Sequence, residues 1–131
     1  MKKQASSFKE WTVWQLRRLS YRWPARSAAF RRSRAEFADY KKNPGETVTK
    51  RVRNFYFCEK CKRVFSRKGV TADHKLPVID PKKGFENFDV YIRRLFCEAS
   101  GFQIICNHCH DKKTNRETQV RKLYRRLRKA A

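Results

Sequence analysis

The chain has no apolar run long enough to cross a membrane or to form the hydrophobic core of a signal peptide. Its opening, Met1-Lys2-Lys3-Gln4-Ala5-Ser6-Ser7, carries charge with no hydrophobic stretch behind it, so the expected location is the cytoplasm. It has no lipidation motif and no amphipathic anchor, so no membrane partner is expected. Acidic residues are scarce: 12 Asp plus Glu stand against 34 Lys plus Arg, a formal net charge of +22. Such a chain seeks polyanions, and nucleic acid is favoured over acidic lipid or an acidic protein. It lacks an obvious recognition module for single-stranded RNA, but charge alone does not separate the two acids, and action on RNA stands as a third reading. It has no low-complexity segment, and no repeat beyond two cysteine pairs. No small-molecule substrate is expected, and the oligomeric state is open.

What remains in 131 residues is one compact domain plus an extension. A core of this size is marginal, so a metal staple would contribute folding free energy. Residues 8 to 40 read as helical, with Trp11, Trp14, Leu16 and Leu19 interleaved with Arg17 and Arg18. Trp23-Pro24 breaks the run, and Ser27 to Tyr40 reads as a second helix carrying Arg31 among its basic residues. One face of this arm is expected to pack and the other to meet DNA backbone. Lys41-Lys42-Asn43-Pro44-Gly45-Glu46 reads as a linker, dividing a basic helical extension (1–45) from the main domain (46–131).

In the main domain Phe55-Tyr56-Phe57 reads as a strand. Val64-Phe65-Ser66 and Val70-Thr71-Ala72 flank Arg67-Lys68-Gly69, which suits a hairpin with Gly69 at positive φ. Val78-Ile79-Asp80, between Pro77 and Pro81, reads as an extended loop, and Asp89 to Ala99 as a helix capped by Gly101. Phe102 to Ile105 reads as a strand and Asp111 to about Lys129 as a helix. That last helix bears an apolar stripe of Val120, Leu123, Tyr124 and Leu127 opposite Arg116, Arg121 and Arg125. The fold class is therefore α+β.

Five cysteines in a reducing compartment argue for metal ligation over disulfides. Four form Cys58-x-x-Cys61 and Cys106-x-x-Cys109, a spacing that lets all four thiolates reach one tetrahedral ion. Four protein ligands leave no place for water, so this zinc is expected to be structural. Redox-active or chance pairing is the competing reading. Cys97 is left over as a small buried residue.

Hydrolysis of a phosphodiester needs a base for water and positive charge for the phosphoryl and leaving oxygens. A neutral imidazole supplies the first and a hard divalent cation the second. Asp73 and His74 are neighbours on an extended segment, so their side chains point to opposite sides. One can hold a metal while the other faces water. His110 follows Cys109 directly, so the zinc would fix its position, and the helix N-terminus there favours phosphate.

Asp73-His74-x-x-Pro77, followed by Cys106-x-x-Cys109-His110-x-x-Lys113-Thr114, resembles the HNH endonuclease family. The Gly84-Phe85 loop and the run Arg93-Arg94-Leu95-Phe96 resemble its small bacteriophage members, and the resemblance spans about residues 55 to 120. It implies a ββα-metal core stapled by the four-cysteine zinc. It also implies His74 as general base and Asp73 and His110 as ligands of a catalytic Mg, Mn or Ni ion. The location would then be the cytoplasm of a bacterial host. The hairpin, with Arg67 and Lys68, and the final helix, with Lys113, Arg116, Arg121 and Arg125, would grip one strand across the minor groove. Gly101 stands where the family's middle asparagine is expected. Asn87 is the candidate substitute, bracing the loop that orients His74, and its alternative role is a turn residue near Gly84. The rival function is a zinc-stapled DNA-binding protein without catalysis.

Overall fold

The computed structural model describes residues 7–35, 38–40, 50–52 and 55–131. The linker 41–46, with the boundary placed at 45, and Phe37 lie outside the described residues.

Three residues set where the first three helices begin. The Ser7 hydroxyl accepts the Glu10 N–H at 3.1 Å and starts α1, Phe8–Ser20. Pro24 occupies the first turn of α2, Pro24–Arg32, where its missing N–H costs nothing, and Trp23 before it is extended. The Asn87 carboxamide accepts the Val90 N–H at 2.9 Å and starts α3, Phe88–Leu95. The helix expected over Ser27–Tyr40 thus starts earlier and stops at Arg32. Beyond Ser33 the chain turns extended, because β1 (Arg34–Ala35) pairs antiparallel with β4 (Phe55–Phe57). Long-range pairing overrides the local helical pattern. β2 (Ala38–Tyr40) and β3 (Lys50–Val52) form a separate antiparallel ladder.

The expected hairpin of 64–66 with 70–72 does not form. β5 (Val64–Ser66) pairs with β4, Tyr56 opposite Phe65, so the turn of that hairpin is the first cysteine knuckle itself. Residues Arg67–Gly69 make one 3-10 turn, and Gly69 does not adopt positive φ. β6 (Val70–His74) instead pairs antiparallel with β7 (Phe102–Cys106), thirty residues away in register terms: Asp73 lies opposite Gln103 and His74 opposite Phe102. β7 runs directly into α4, Asn107–Ala130, which begins inside the second knuckle, four residues earlier than expected.

The β6–β7 ribbon has two faces, by the period of two along a strand. On one, Val70, Ala72, Phe102 and Ile104 pack with Ala29 and Phe30 of α2 in a single core, joined by Trp23, Tyr56 and Phe65. The other carries Thr71, Asp73, Gln103 and Ile105 toward α4. Trp23 and α2, expected as part of an extension, therefore share the core of the main domain. Arg32 ties them further by donating to the carbonyls of Ala99 (3.0 Å) and Phe102 (2.8 Å). The Trp23 indole donates to Cys97 O at 2.6 Å. The architecture is mixed helix and small antiparallel sheets, an α+β fold. No described helix is long and apolar enough to cross a membrane.

Two further expectations are corrected. α3 ends at Leu95, so Gly101 does not cap it. Gly101 closes a 3-10 turn (Ala99–Gly101) against Cys97. A Cβ there would sit 2.7 Å from the Cys97 Sγ and 2.9 Å from its Cβ. Gly101→Ala is expected to cost about 1–3 kcal/mol by overpacking, read as a lower urea midpoint. Cys97→Ala should recover only part of the loss, because the Cβ clash remains. The apolar stripe of α4 covers no core among the described residues: Leu123 is 52% and Leu127 54% exposed. That half of the helix is held by Arg128, which donates to Lys82 O at 2.6 Å.

Candidate metal centre and cleft

The four cysteines converge. Cys58 directly follows β4, Cys61 comes next in the knuckle, Cys106 ends β7 and Cys109 lies in the first turn of α4. Their sulfurs all lie within 4.8 Å of one another, and Cys61 Sγ is 3.9 Å from Cys106 Sγ. A tetrahedral ion with bonds of about 2.3 Å to sulfur holds its sulfurs about 3.8 Å apart. The cluster can therefore hold a metal ion such as zinc. Backbone amides already point at it: Cys61 N–H and Cys106 N–H donate to Cys58 Sγ at 3.4 and 3.3 Å. Cys109 N–H donates to Cys106 Sγ at 3.4 Å, so Cys106 is also the N-cap of α4.

The chemistry of the donors agrees. Burial alone would raise the Cys58 thiol, but the amides of Cys61, Cys106 and Lys60 hold it down to about 6. The Cys109 thiol is pushed up to about 12, first by its hydrogen bond with Cys106 and then by burial. One thiolate forms readily, and further ones need a cation between them. Lys62, just past Cys61, is the one described non-glycine residue at positive φ, 64°. Its N–H donates to Cys58 O at 2.9 Å and closes the knuckle. Lys62→Val is expected to lower stability by about 1–2 kcal/mol, since a β-branched side chain fits this region poorly. Lys62→Gly should match or exceed the parent in the same denaturant titration.

Next to this cluster the ribbon delivers Asp73 and His74 to opposite faces, as the extended segment requires. Asp73 faces α4. Its Oδ1 lies 3.8 Å from His110 Nε2, one helical step past Cys109. Its Oδ2 accepts from Gln103 Nε2 at 2.8 Å and from Lys113 Nζ at 2.5 Å. Lys113 also donates to His74 O at 2.6 Å and lies 3.7 Å from Glu117. Lys113, expected on DNA, is turned inward because it stands three residues after His110 on the same helix face.

His74 faces the other side. Its ring packs on Phe102 at 4.7 Å, and Nε2 lies 2.9 Å from the Leu95 carbonyl. A carbonyl only accepts, so Nε2 carries the hydrogen and Nδ1 is left as the acceptor. Burial, reinforced by Arg26 and Lys113, holds its pKa below the ordinary imidazole value, against the opposing pull of Leu95 O and Asp73. The neutral form of the ring is therefore favoured.

Two adjoining clefts open on these residues. One of about 360 Å³ is lined by Arg17, Arg26, Asp73, His74 and His110, among others. Another of about 320 Å³ joins Asp73 and His74 to Lys113, Glu117 and Arg121. Asn87 lines neither, and its carboxamide is engaged as the cap of α3. It does not brace His74, whose anchor is Leu95 O. Arg18, Arg31, Lys68, Arg116 and Arg125 are exposed on the surface, while Arg67 lies 3.7 Å over the Phe30 ring. Sequence reasoning missed Gln103 and Arg26. Gln103 became findable once β6 was paired with β7, since cross-strand partners share a face. No protein-family model, no curated protein and no solved structure matches this chain.

Proposed function

We propose that the chain is a divalent-metal-dependent DNA endonuclease of HNH type, with a structural zinc in the four-cysteine cluster. The observation that carries this reading is the meeting of Asp73 Oδ1 and His110 Nε2 at 3.8 Å in a cleft that also holds a neutral His74. Adjacent ligand atoms of an octahedral ion with bonds of about 2.1 Å stand about 3.0 Å apart, so the two side chains would have to draw closer to share one Mg, Mn or Ni ion. Asp73 and His110 would hold it. When bound it supplies positive charge for the phosphoryl and leaving oxygens. The rest of the chemistry belongs to the chain. His74 Nδ1 takes a proton from a water whose oxygen forms the new bond to phosphorus. The bond from phosphorus to the 3′-oxygen breaks, and that oxygen is protonated from solvent. The products are a 5′-phosphate and a 3′-hydroxyl. Lys113 and Gln103 fix the carboxylate of Asp73, and Leu95 O fixes the tautomer of His74. The net charge of +22 supplies backbone affinity that should fall steeply with salt.

A second reading, a zinc-stapled DNA-binding protein without catalysis, is favoured by one observation. Asp73 Oδ2 already carries both Lys113 and Gln103, and Lys113 neutralises the carboxylate. Supercoiled plasmid separates the two readings. Nicking that requires added Mg or Mn and disappears in His74→Ala supports the nuclease. Negligible cleavage by both proteins with tight binding intact supports the second reading.

A further inference from the structure

Arg26 of α2 is a cation with no acidic partner among the described residues. Its Nη1 donates to Ala72 O at 3.2 Å, and its guanidinium carbon lies 5.1 Å from the Phe102 ring and 5.2 Å from the Tyr21 ring. Its Nε is buried and has no hydrogen-bond partner among the described residues. No carboxylate pairs with it among the described residues. Half-buried guanidinium groups ordinarily meet an acid, because a desolvated charge without one is costly. Here the neighbours that face it are Tyr21, Cys97, Arg67 and His74, none of them a carboxylate. Yet Arg26 lines the same cleft as Asp73, His74 and His110, and the exposed Arg17 of α1 lines it too. Two aromatic rings and the Ala72 carbonyl hold the guanidinium there without supplying a full negative charge.

We propose that Arg26, with Arg17 lining the same cleft, forms a phosphate-binding subsite for a backbone phosphate of a DNA strand lying in the cleft next to His74. The planar guanidinium matches two non-bridging phosphate oxygens, and the cleft supplies the low dielectric that strengthens such a contact. The subsite comes from the N-terminal helices, outside the stretch with the knuckles, which gives those helices a role at the cleft beyond packing. It rests on the proposed reading only in taking DNA as the ligand, and needs no cleavage.

The test uses the full chain purified with its zinc, no divalent ion added, and a short DNA duplex recovered intact afterwards. With arginine side chains labelled by nitrogen-15, the Arg26 Nε–H resonance is assigned by its loss in Arg26→Lys. It is expected to shift as duplex is titrated into the wild-type protein. Arg26→Met, checked for zinc content and melting, is expected to bind the duplex about tenfold more weakly, with the slope of log affinity against log salt reduced by about one. A resonance unmoved at saturating duplex overturns the subsite, and so does a folded Arg26→Met that binds with wild-type affinity and slope. If Arg26→Met does not fold, the wild-type resonance decides alone. A shifted resonance in a protein that cuts no plasmid would retain the subsite and reject the nuclease.

Discussion

Withdrawing metal from the four-cysteine cluster is expected to unfold the protein. The cluster joins the end of β4, the end of β7 and the first turn of α4, elements that otherwise meet through few apolar side chains: Ile105 and Phe65 are the non-cysteine residues of that small core. Structural zinc in small modules binds with about 10–16 kcal/mol near neutral pH, which matches or exceeds the whole stability of a typical domain. The expected result is loss of the cooperative melting transition and of much helical signal when a strong chelator is added, with about one zinc released per chain. Cys58→Ser should do the same without chelator. Its sulfur takes two amide hydrogen bonds besides its place in the cluster, and it is fully buried. A chain that melts unchanged after its metal is gone would reduce the cluster to four packed thiols.

The second large effect is on cleavage. His74→Ala is expected to reduce plasmid nicking by about 10²–10⁴-fold, the range for removing a general base. DNA affinity and zinc content should stay near wild type, because His74 touches neither the cysteines nor the exposed basic residues. A loss confined to the turnover number, with the concentration dependence unchanged, identifies a group that acts only in the transition state. Equal loss of binding would instead identify His74 as a prop between β6 and α3. His74→Gln then adds a second comparison, since its amide can still donate to Leu95 O and preserve that prop without serving as a base.

Local chemistry was readable in the sequence, and pairing was not. The cysteine cluster follows from two spacings, and the break at Trp23-Pro24 from the steric rule for residues before proline. His110 beside Asp73 follows from its place just after Cys109. The strand partners did not follow, because 64–66 and 70–72 look like a hairpin to any local rule. The knuckle folds 64–66 back on 55–57 instead, and 70–74 waits for 102–106. Once that pairing is wrong, Gln103 cannot be seen facing Asp73, and the base is read without the brace that Leu95 O provides. Lys113 looked like a surface cation because nothing local says that a carboxylate lies under it. The stripe of Leu123 and Leu127 is legible as a helical period, but the period of a helix does not say whether anything packs on it.

The order in which the cysteines occur has a consequence for synthesis. Cys61 leaves the ribosome 45 residues before Cys106, and Cys58 48 residues before it, a delay of roughly 2–9 s at ordinary elongation rates. During that interval the chain presents two thiols as an open half-site, together with Asp73 and His74 on a strand that has no partner. β7, His110 and Lys113 arrive last, and they arrive together. A nascent or truncated chain that stops short of them lacks the second pair of sulfurs and the imidazole opposite Asp73. On the proposed reading it cannot cut. The protein would thus be harmless to nucleic acid near the ribosome until its final helix emerges and seals the metal.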